Sequence, residues 1–162
     1  MKKTLAILAA VMLFGIGAFA QSGRSIYNKY SEAENVSAVY ISPAMFRLIK
    51  KLPDMEINSE DINLTAIVKA LNGFYLLESE DRGVNENLRG DVEKFVKSGK
   101  YELLMEAKEN GETVRIFTCG KGDKISSFVL LAGEKDQCTF ICLDGEISRK
   151  QLEAIISREG SR

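Results

Sequence analysis

The second half of the chain constrains the fold most, because apolar and polar residues alternate there along consecutive short runs. The first two runs, within YELLMEAKENGETVRIFTC (residues 101–119), flank the dipeptide Asn110-Gly111. Asn-Gly favours a two-residue type I′ turn because both positions tolerate positive φ. The pattern therefore predicts a β-hairpin with a fixed register. The predicted facing pairs are Ala107 with Val114, Glu106 with Arg115, Met105 with Ile116, Leu104 with Phe117, and Leu103 with Thr118.

Two further runs, ISSFVLLAG (125–133) and CTFICLDGEI (138–147), predict a third and a fourth strand. The segment TCGKGDK (118–124) before them contains glycine, lysine and cysteine. A phosphate-binding loop of the Walker type needs G-x-x-x-x-G-K-[ST] between a strand and a helix. Here the glycines are two positions apart and a strand follows, so the segment is interpreted as a turn. The four strands together predict an antiparallel meander.

The first half of the chain alternates between strand and helix signals. VSAVYIS (36–42) predicts a strand, and Ser42-Pro43 is a helix N-cap followed by proline at the first helical position. Asn58 is expected to cap a short helix near 59–71, and GFYLLES (73–79) predicts a second strand. Asn85 is expected to cap a helix that ends at Gly99. At the end of the chain, Ser148 and Gln151 form a capping box before a helix whose apolar side carries Leu152, Ile155 and Ile156.

This order of elements, β-α-α-β-α-β-β-β-β-α, predicts an α+β fold. We expect one mainly antiparallel sheet of about six strands with helices packed on it. The length after residue 20 suits a single domain, 21–162, with an N-terminal docking segment at 21–35 and a frayed tail at 158–162.

The N-terminus has the features of a secretory signal peptide. Lys2 and Lys3 precede an almost wholly apolar run, and Ala18-Phe19-Ala20 is an A-x-A cleavage motif. The residue after the expected cut is Gln21, whereas a lipid-modified export signal needs cysteine there. We therefore expect an exported protein, periplasmic or secreted, with residues 1–20 removed and no membrane span remaining. A retained anchor is the alternative, but the apolar run is short for a span.

Composition excludes several kinds of chemistry. The chain has no histidine, which excludes Ser-His-Asp and Cys-His activation of a nucleophile. Without the signal peptide, 20 basic and 23 acidic side chains leave a formal net charge of −3. This mild acidity gives no electrostatic footprint for nucleic acid. No catalytic, cofactor-binding or metal-binding residue is assigned, and we expect a protein without cofactor that is not an enzyme.

The three cysteines and the acidic loop have simple structural interpretations. Cys138 and Cys142 are expected on one strand about 13 Å apart, which is too far for a disulfide, and Cys119 is left unpaired. A reactive Cys119 beside lysine remains the alternative. The loop after Pro53 resembles the start of a calcium loop, but serine and threonine occupy its glycine and bidentate glutamate positions.

Three stretches of the chain together resemble a known family: YNKYSEAENVSAVYISPAMFRLI, YELLMEAKENGETVRIFTCGKGDKISSFVLL and CTFICLDGEI. Their strand-Ser-helix start, Y-E-x-L-M strand, G-x-x-V strand and L-x-G-x-I end are similar to those of the exported bacterial family called domain of unknown function 4252. The resemblance implies an exported α+β domain and supplies no functional residue. Relatives beside genes for sigma-factor signalling imply a role in sensing at the cell envelope.

The outer face of the predicted sheet motivates the first functional hypothesis, a non-enzymatic module that binds a protein partner or a second copy of itself. In the predicted register, Leu104 and Phe117 share one face and form the candidate interaction surface. An uncovered apolar patch of this kind marks a binding site. The alternative is that a helix of the same chain covers it. Four residues on the next two strands are expected to extend the patch: Phe128, Leu130, Ile141 and Leu143.

Two other hypotheses remain open. An enzyme without histidine could use paired carboxylates, and Glu78, Glu80 and Asp81 are the candidates. A solvated turn is the structural alternative for these three residues. A regulatory partner of an envelope signalling complex is the third hypothesis, which the sequence does not distinguish from the first.

Overall fold

The computed structural model describes residues 22–51, 58–59, 62–63 and 68–150. The expected signal peptide, the closing helix from Gln151 and the frayed tail lie outside the described residues. Eleven elements have defined bounds. The helices are α1 (Gly23–Tyr30), α2 (Pro43–Lys51) and α3 (Arg82–Ser98); the strands are β1 (Val36–Ile41), β2 (Asn58–Ser59), β3 (Ile62–Asn63), β4 (Leu71–Ser79), β5 (Glu102–Glu109), β6 (Glu112–Lys121), β7 (Lys124–Gly133) and β8 (Cys138–Ser148).

Six of the strands form one antiparallel sheet in the order β1-β4-β8-β7-β6-β5. The predicted α+β class is confirmed, and so is the meander, because β5 to β8 are neighbours in chain order. β4 lies between β1 and β8 and pairs with both. Since both pairings are antiparallel, β1 and β8 run in the same direction and end at the same end of the sheet. The segments that follow β1 and β8 therefore begin at that same end of the sheet.

One face of this sheet, which we call the covered face, carries the main core. α1 and α3 pack on it, and α3 presents the apolar stripe that the sequence predicted. The buried side chains of this core are Ile26 and Tyr30 from α1, Leu88, Val92, Phe95 and Val96 from α3, and Tyr75, Leu77, Phe117, Val129, Leu131, Cys138, Phe140 and Cys142 from the sheet. α1, in the N-terminal segment, docks on the sheet because its residues Ile26 and Tyr30 are part of this core.

The predicted hairpin forms, with one correction to its register. Asn110 and Gly111 have φ values of 50° and 96°, as the turn requires. The three pairs that involve residues 105–107 are confirmed, but the register shifts between Leu103 and Met105. Leu103 therefore faces Phe117, and Leu104 is the extra residue of a β-bulge. The prediction of a Leu104–Phe117 pair was wrong because strict alternation cannot reveal an inserted residue.

Two helix predictions in the first half also need correction. Asp81, not Asn85, is the N-cap of α3, since its Oδ1 accepts a hydrogen bond from the Val84 backbone N–H at 2.8 Å. Asn85 lies inside the helix and is fully buried. The helix expected from residue 59 is replaced at its start by β2, which pairs with β3, while 68–70 is helical. The caps at Ser42 and Gly99 are confirmed.

Candidate functional site

The most exposed regular element in the described residues is β5, the last strand of the sheet. Its position leaves one side of its backbone without a strand partner in the part of the chain that the structure describes. All eight of its residues are exposed, whereas four of the six residues of β1 at the opposite edge are partly buried. Val36, Ala38 and Tyr40 of β1 pack against the core that α1 and α3 form. The helices thus protect β1 and leave β5 open.

Three consecutive large apolar side chains lie on this open strand. The exposed fractions of Leu103, Leu104 and Met105 are 53, 46 and 45 %. The bulge has a direct consequence for them, since an inserted residue disrupts the alternation of side chains along the strand. The strand therefore offers apolar surface at three successive positions, which we call the 103–105 segment.

The structure does not bring the two predicted surface residues together. Leu104 belongs to the exposed 103–105 segment, but Phe117 is only 9 % exposed and lies in the core beneath α3. The alternative prediction, that a helix of the same chain covers the patch, therefore holds for Phe117. The four residues expected to extend the patch lie on the opposite face of the sheet from Phe117, because Phe117 pairs with Val129 and not with Phe128 or Leu130.

That opposite face, which we call the second face, carries an apolar row across all six strands. The register aligns one residue from each strand along it. In sheet order the row is Val39, Leu76, Ile141, Leu130, Ile116 and Met105. Its inner four residues are partly buried and its two end residues are exposed. The sequence signal for this row was the apolar character of β7 and β8 on both faces.

The polar half of β5 is held by an ion-pair network. The Arg115 guanidinium donates from Nε to Glu106 at 2.6 Å and from Nη1 to Glu93 of α3 at 2.8 Å. These hydrogen bonds raise the pKa of Arg115, while Lys108 and Arg115 together lower the pKa of the Glu106 carboxyl. The network joins β5 and β6 to α3. It also neutralises the charges beside the 103–105 segment.

A second polar cluster joins α1 to α3, and the sequence analysis did not predict it. The Asp91 carboxylate accepts hydrogen bonds from the Lys29 ammonium and, at 2.7 Å, from the Tyr30 hydroxyl. Burial alone would raise the pKa of Asp91, but the hydrogen bonds from Lys29 and Tyr30 outweigh it and lower that pKa. Lys94 lies 3.8 Å from the same carboxylate. No sequence spacing links residues 29 and 91, which explains why the cluster was not predicted.

The three cysteines are free thiols. Cys138 and Cys142 are buried in β8, and burial raises the pKa of both thiols, which disfavours the reactive thiolate. The backbone of Gly23 in α1 closes over Cys142, since a Cβ at residue 23 would lie 2.4 Å from its sulfur. Cys119 is partly exposed, and its thiol donates to the Gly99 carbonyl at 3.5 Å.

The three candidate carboxylates lie in different surroundings. Asp81 is used as the N-cap of α3. Glu78 and Glu80 are exposed and border a depression of about 480 Å³ at the start of β1 and β8. Within the described part of the chain, no group of three or more acidic or cysteine side chains is placed to hold a metal ion.

Fold and surface together define an α+β domain with one antiparallel sheet, a helix-covered core face and an open edge strand. Residues 30–155 match the model of the family described as Domain of unknown function (DUF4252), and the chain belongs to that family. No curated protein and no solved structure matches the chain significantly. Among residues 22–51 and 68–150, no helix is both long and apolar enough to cross a membrane.

Proposed function

We propose that this protein is an exported, non-enzymatic interaction module that binds an extended segment of a partner protein along β5. The observation that carries the proposal is the 103–105 segment, three adjacent apolar side chains exposed on an edge strand whose only strand partner among the described residues is β6. A bound segment would add its backbone hydrogen bonds to those of the sheet. The side chains of Leu103, Leu104 and Met105 would supply apolar contacts.

Edge strands of soluble proteins are normally protected against such pairing by charges, proline, bulges or covering elements. β5 has charges at 102, 106, 108 and 109 and a bulge at Leu104, but residues 103–105 remain apolar. The charged half restricts where a partner can pair. We therefore place the contact on the 103–105 segment and expect the partner to present a short apolar strand.

Export is part of the proposal and rests on the sequence of residues 1–20. We expect the mature protein to begin at Gln21 and to work in the periplasm or outside the cell. Mass spectrometry of the protein purified from an envelope fraction checks the cut. An intact N-terminus at Met1, or a protein found only in the cytoplasm, would contradict this part.

The interaction itself is tested by placing a photo-crosslinking amino acid at position 104 of the mature chain. A matched control carries it at Lys97, an exposed position on α3. We expect position 104 to capture one specific protein from an envelope extract and position 97 to capture none. Met105→Lys should abolish capture at 104 while circular dichroism stays unchanged. Equal capture at both positions would contradict a site on β5.

The identity of the captured protein decides the finer role. A component of a signalling complex would support the regulatory hypothesis. A strand of a second copy would make the module a homodimer. Turnover of a carbohydrate substrate that depends on Glu78 and Glu80, with no protein captured, would favour the carboxylate enzyme instead.

A further inference from the structure

Helix α2 has one side in the core and one side in water. Phe46 is 3 % exposed and packs in one cluster with three buried side chains of the sheet, Leu71, Ile125 and Ile147. Residues 46 and 48 are roughly 200° apart around a helix, so Leu48 points away from the sheet. Leu48 is 60 % exposed, the highest value among the large apolar side chains that the structure describes. Burial in the core therefore does not explain the apolar residue at this position.

Met45 enlarges the apolar surface around Leu48. It is 50 % exposed and lies three residues before Leu48, so the two side chains are neighbours on one side of the helix. The helix that carries them is already formed, because the Met45 backbone N–H donates to the Ser42 side chain at 3.2 Å and Phe46 packs in the core. α2 therefore presents the two apolar side chains without having to fold when it binds.

The charged side chains of α2 are all positive. Arg47, Lys50 and Lys51 are exposed, and the helix contains no acidic residue. Lys51 follows Leu48 by three residues and Arg47 by four, so two cations lie beside the exposed leucine. Lys50 donates to the neutral Asn72 side chain at 3.0 Å. Of the ion pairs between described residues, none involves these three cations. Their positive charge is therefore not neutralised by a described carboxylate.

The charges distinguish α2 from the other exposed apolar surface, the 103–105 segment. β5 carries three glutamates and one lysine, whereas α2 carries three cations and no acid. The whole mature chain has a formal net charge of −3, so α2 is a positive region on a mildly negative protein. A complementary partner needs negative charge at its surface and an apolar region directly beneath it. A bilayer with anionic phospholipids has both properties.

We propose that α2 docks this protein on the surface of a membrane that contains anionic phospholipids. Met45 and Leu48 enter the boundary between head groups and acyl chains, while Arg47, Lys50 and Lys51 contact the lipid phosphates. The helix lies flat on the membrane, since its other side packs on the sheet. The attachment is weak and reversible, because the contact consists of two apolar side chains and three cations. This surface is separate from β5, so the two proposals can fail independently.

Sedimentation of the mature chain with lipid vesicles tests the charge requirement. At low salt we expect binding to vesicles of phosphatidylglycerol and none to vesicles of phosphatidylcholine. Arg47→Glu with Lys51→Glu should weaken binding about tenfold or more, and added salt should weaken binding of the native chain. The control, Lys97→Glu with Lys121→Glu, changes the net charge equally at exposed positions elsewhere and should bind nearly as well as the native chain. Equal binding of the two variants, or no binding to phosphatidylglycerol, would overturn the proposal.

A tryptophan reporter tests the apolar contact separately. The chain contains no tryptophan, so Leu48→Trp introduces a single fluorophore at the proposed contact. Leu104→Trp places the same fluorophore on the exposed segment of β5. On phosphatidylglycerol vesicles we expect a blue shift of the emission and quenching by brominated acyl chains at position 48, and neither effect at position 104. No shift at position 48, or equal shifts at both positions, would overturn the proposal.

An acidic protein surface is the competing occupant of α2. A photo-crosslinking amino acid at position 48 distinguishes the two in intact envelope membranes, with position 97 of α3 as the control. We expect phospholipid adducts at position 48 and none at position 97. Adducts to protein alone at position 48 would overturn the assignment to lipid.

Discussion

Both faces of the sheet carry apolar side chains, but the surroundings of the two faces differ. Leu77 of β4 is completely buried beneath α1 and α3, whereas its neighbour Leu76 on the second face is only partly buried. β8 shows the same contrast between Phe140 and Ile141. Apolar side chains on both faces are therefore not buried to the same extent. The helices that pack on each face decide how far it is buried.

The helices differ in how firmly they are attached. α3 has 17 residues and contributes four buried apolar side chains, and Asp91 joins it to α1. α2 has nine residues and contributes one buried side chain, Phe46, while Met45 and Leu48 remain exposed. The covered face should consequently carry most of the stability. The β5 edge should tolerate change and remain available for binding.

The largest effect is expected for Phe117→Asp on the covered face. This substitution places a carboxylate among apolar side chains and removes the aromatic ring, at a cost of about 4 kcal/mol or more. We expect the variant to lose its folded circular dichroism spectrum or to unfold at much lower urea concentration. A folded variant with native stability would show that Phe117 is not a core residue.

Leu77→Ala and Leu76→Ala compare the two faces at adjacent positions of one strand. Leu77→Ala should lower the free energy of unfolding by about 3 to 5 kcal/mol, because it leaves a cavity in a closed core. Leu76→Ala should cost about 1 to 2 kcal/mol, because its side chain is already partly in water. Urea denaturation of both variants gives the two values. Equal losses would contradict the difference between the faces.

Asp91→Asn tests the attachment of α1 and should cost about 1 to 2 kcal/mol, since charge-assisted hydrogen bonds become neutral ones. The folded-state pKa of Asp91 is lowered from its usual value near 4. Its contribution is therefore present above about pH 4 and is lost as the pH falls through the lower folded-state pKa. The difference in stability between wild type and Asp91→Asn should shrink below about pH 4. A constant difference down to pH 2 would be inconsistent with this assignment.

The smallest effect on stability is expected for Leu104→Asp on the open edge. The side chain is half exposed and has no directly facing residue in β6, so the free energy of unfolding should change by about 0.5 kcal/mol or less. Binding of the partner proposed for β5 should nevertheless be lost. A large loss of stability would mean that the 103–105 segment is structural. Unchanged binding would place the interaction elsewhere.

Most of the sheet could be predicted from local patterns. The Asn110-Gly111 turn, the meander, the caps at Ser42 and Gly99 and the apolar stripe of α3 all follow from preferences of neighbouring residues. The N-cap of α3 was misplaced because Asp81 and Asn85 both have side chains suited to capping. The bulge at Leu104 was missed because an extra residue leaves the composition of the strand unchanged.

The candidate surface was only half predicted, because residue spacing does not show which face of the sheet the helices cover. Leu104 is exposed as expected, and Phe117 lies on the face opposite Ile116 as predicted, but that face is the one that α1 and α3 cover. Phe128 and Leu130 were grouped with Phe117 because β7 is apolar on both faces, although they lie on the opposite face.

The sequence by itself determined the α+β class, the meander, the absence of histidine chemistry and the apolar character of both sheet faces. These properties depend on residue type and on spacing between near neighbours. The tertiary structure decided which face α1 and α3 cover, that Asp91 joins them, and that β5 is the open edge. Such contacts join residues far apart in the chain, as Tyr30 and Asp91 are, and depend on how whole elements pack. Local preferences carry no information about that packing.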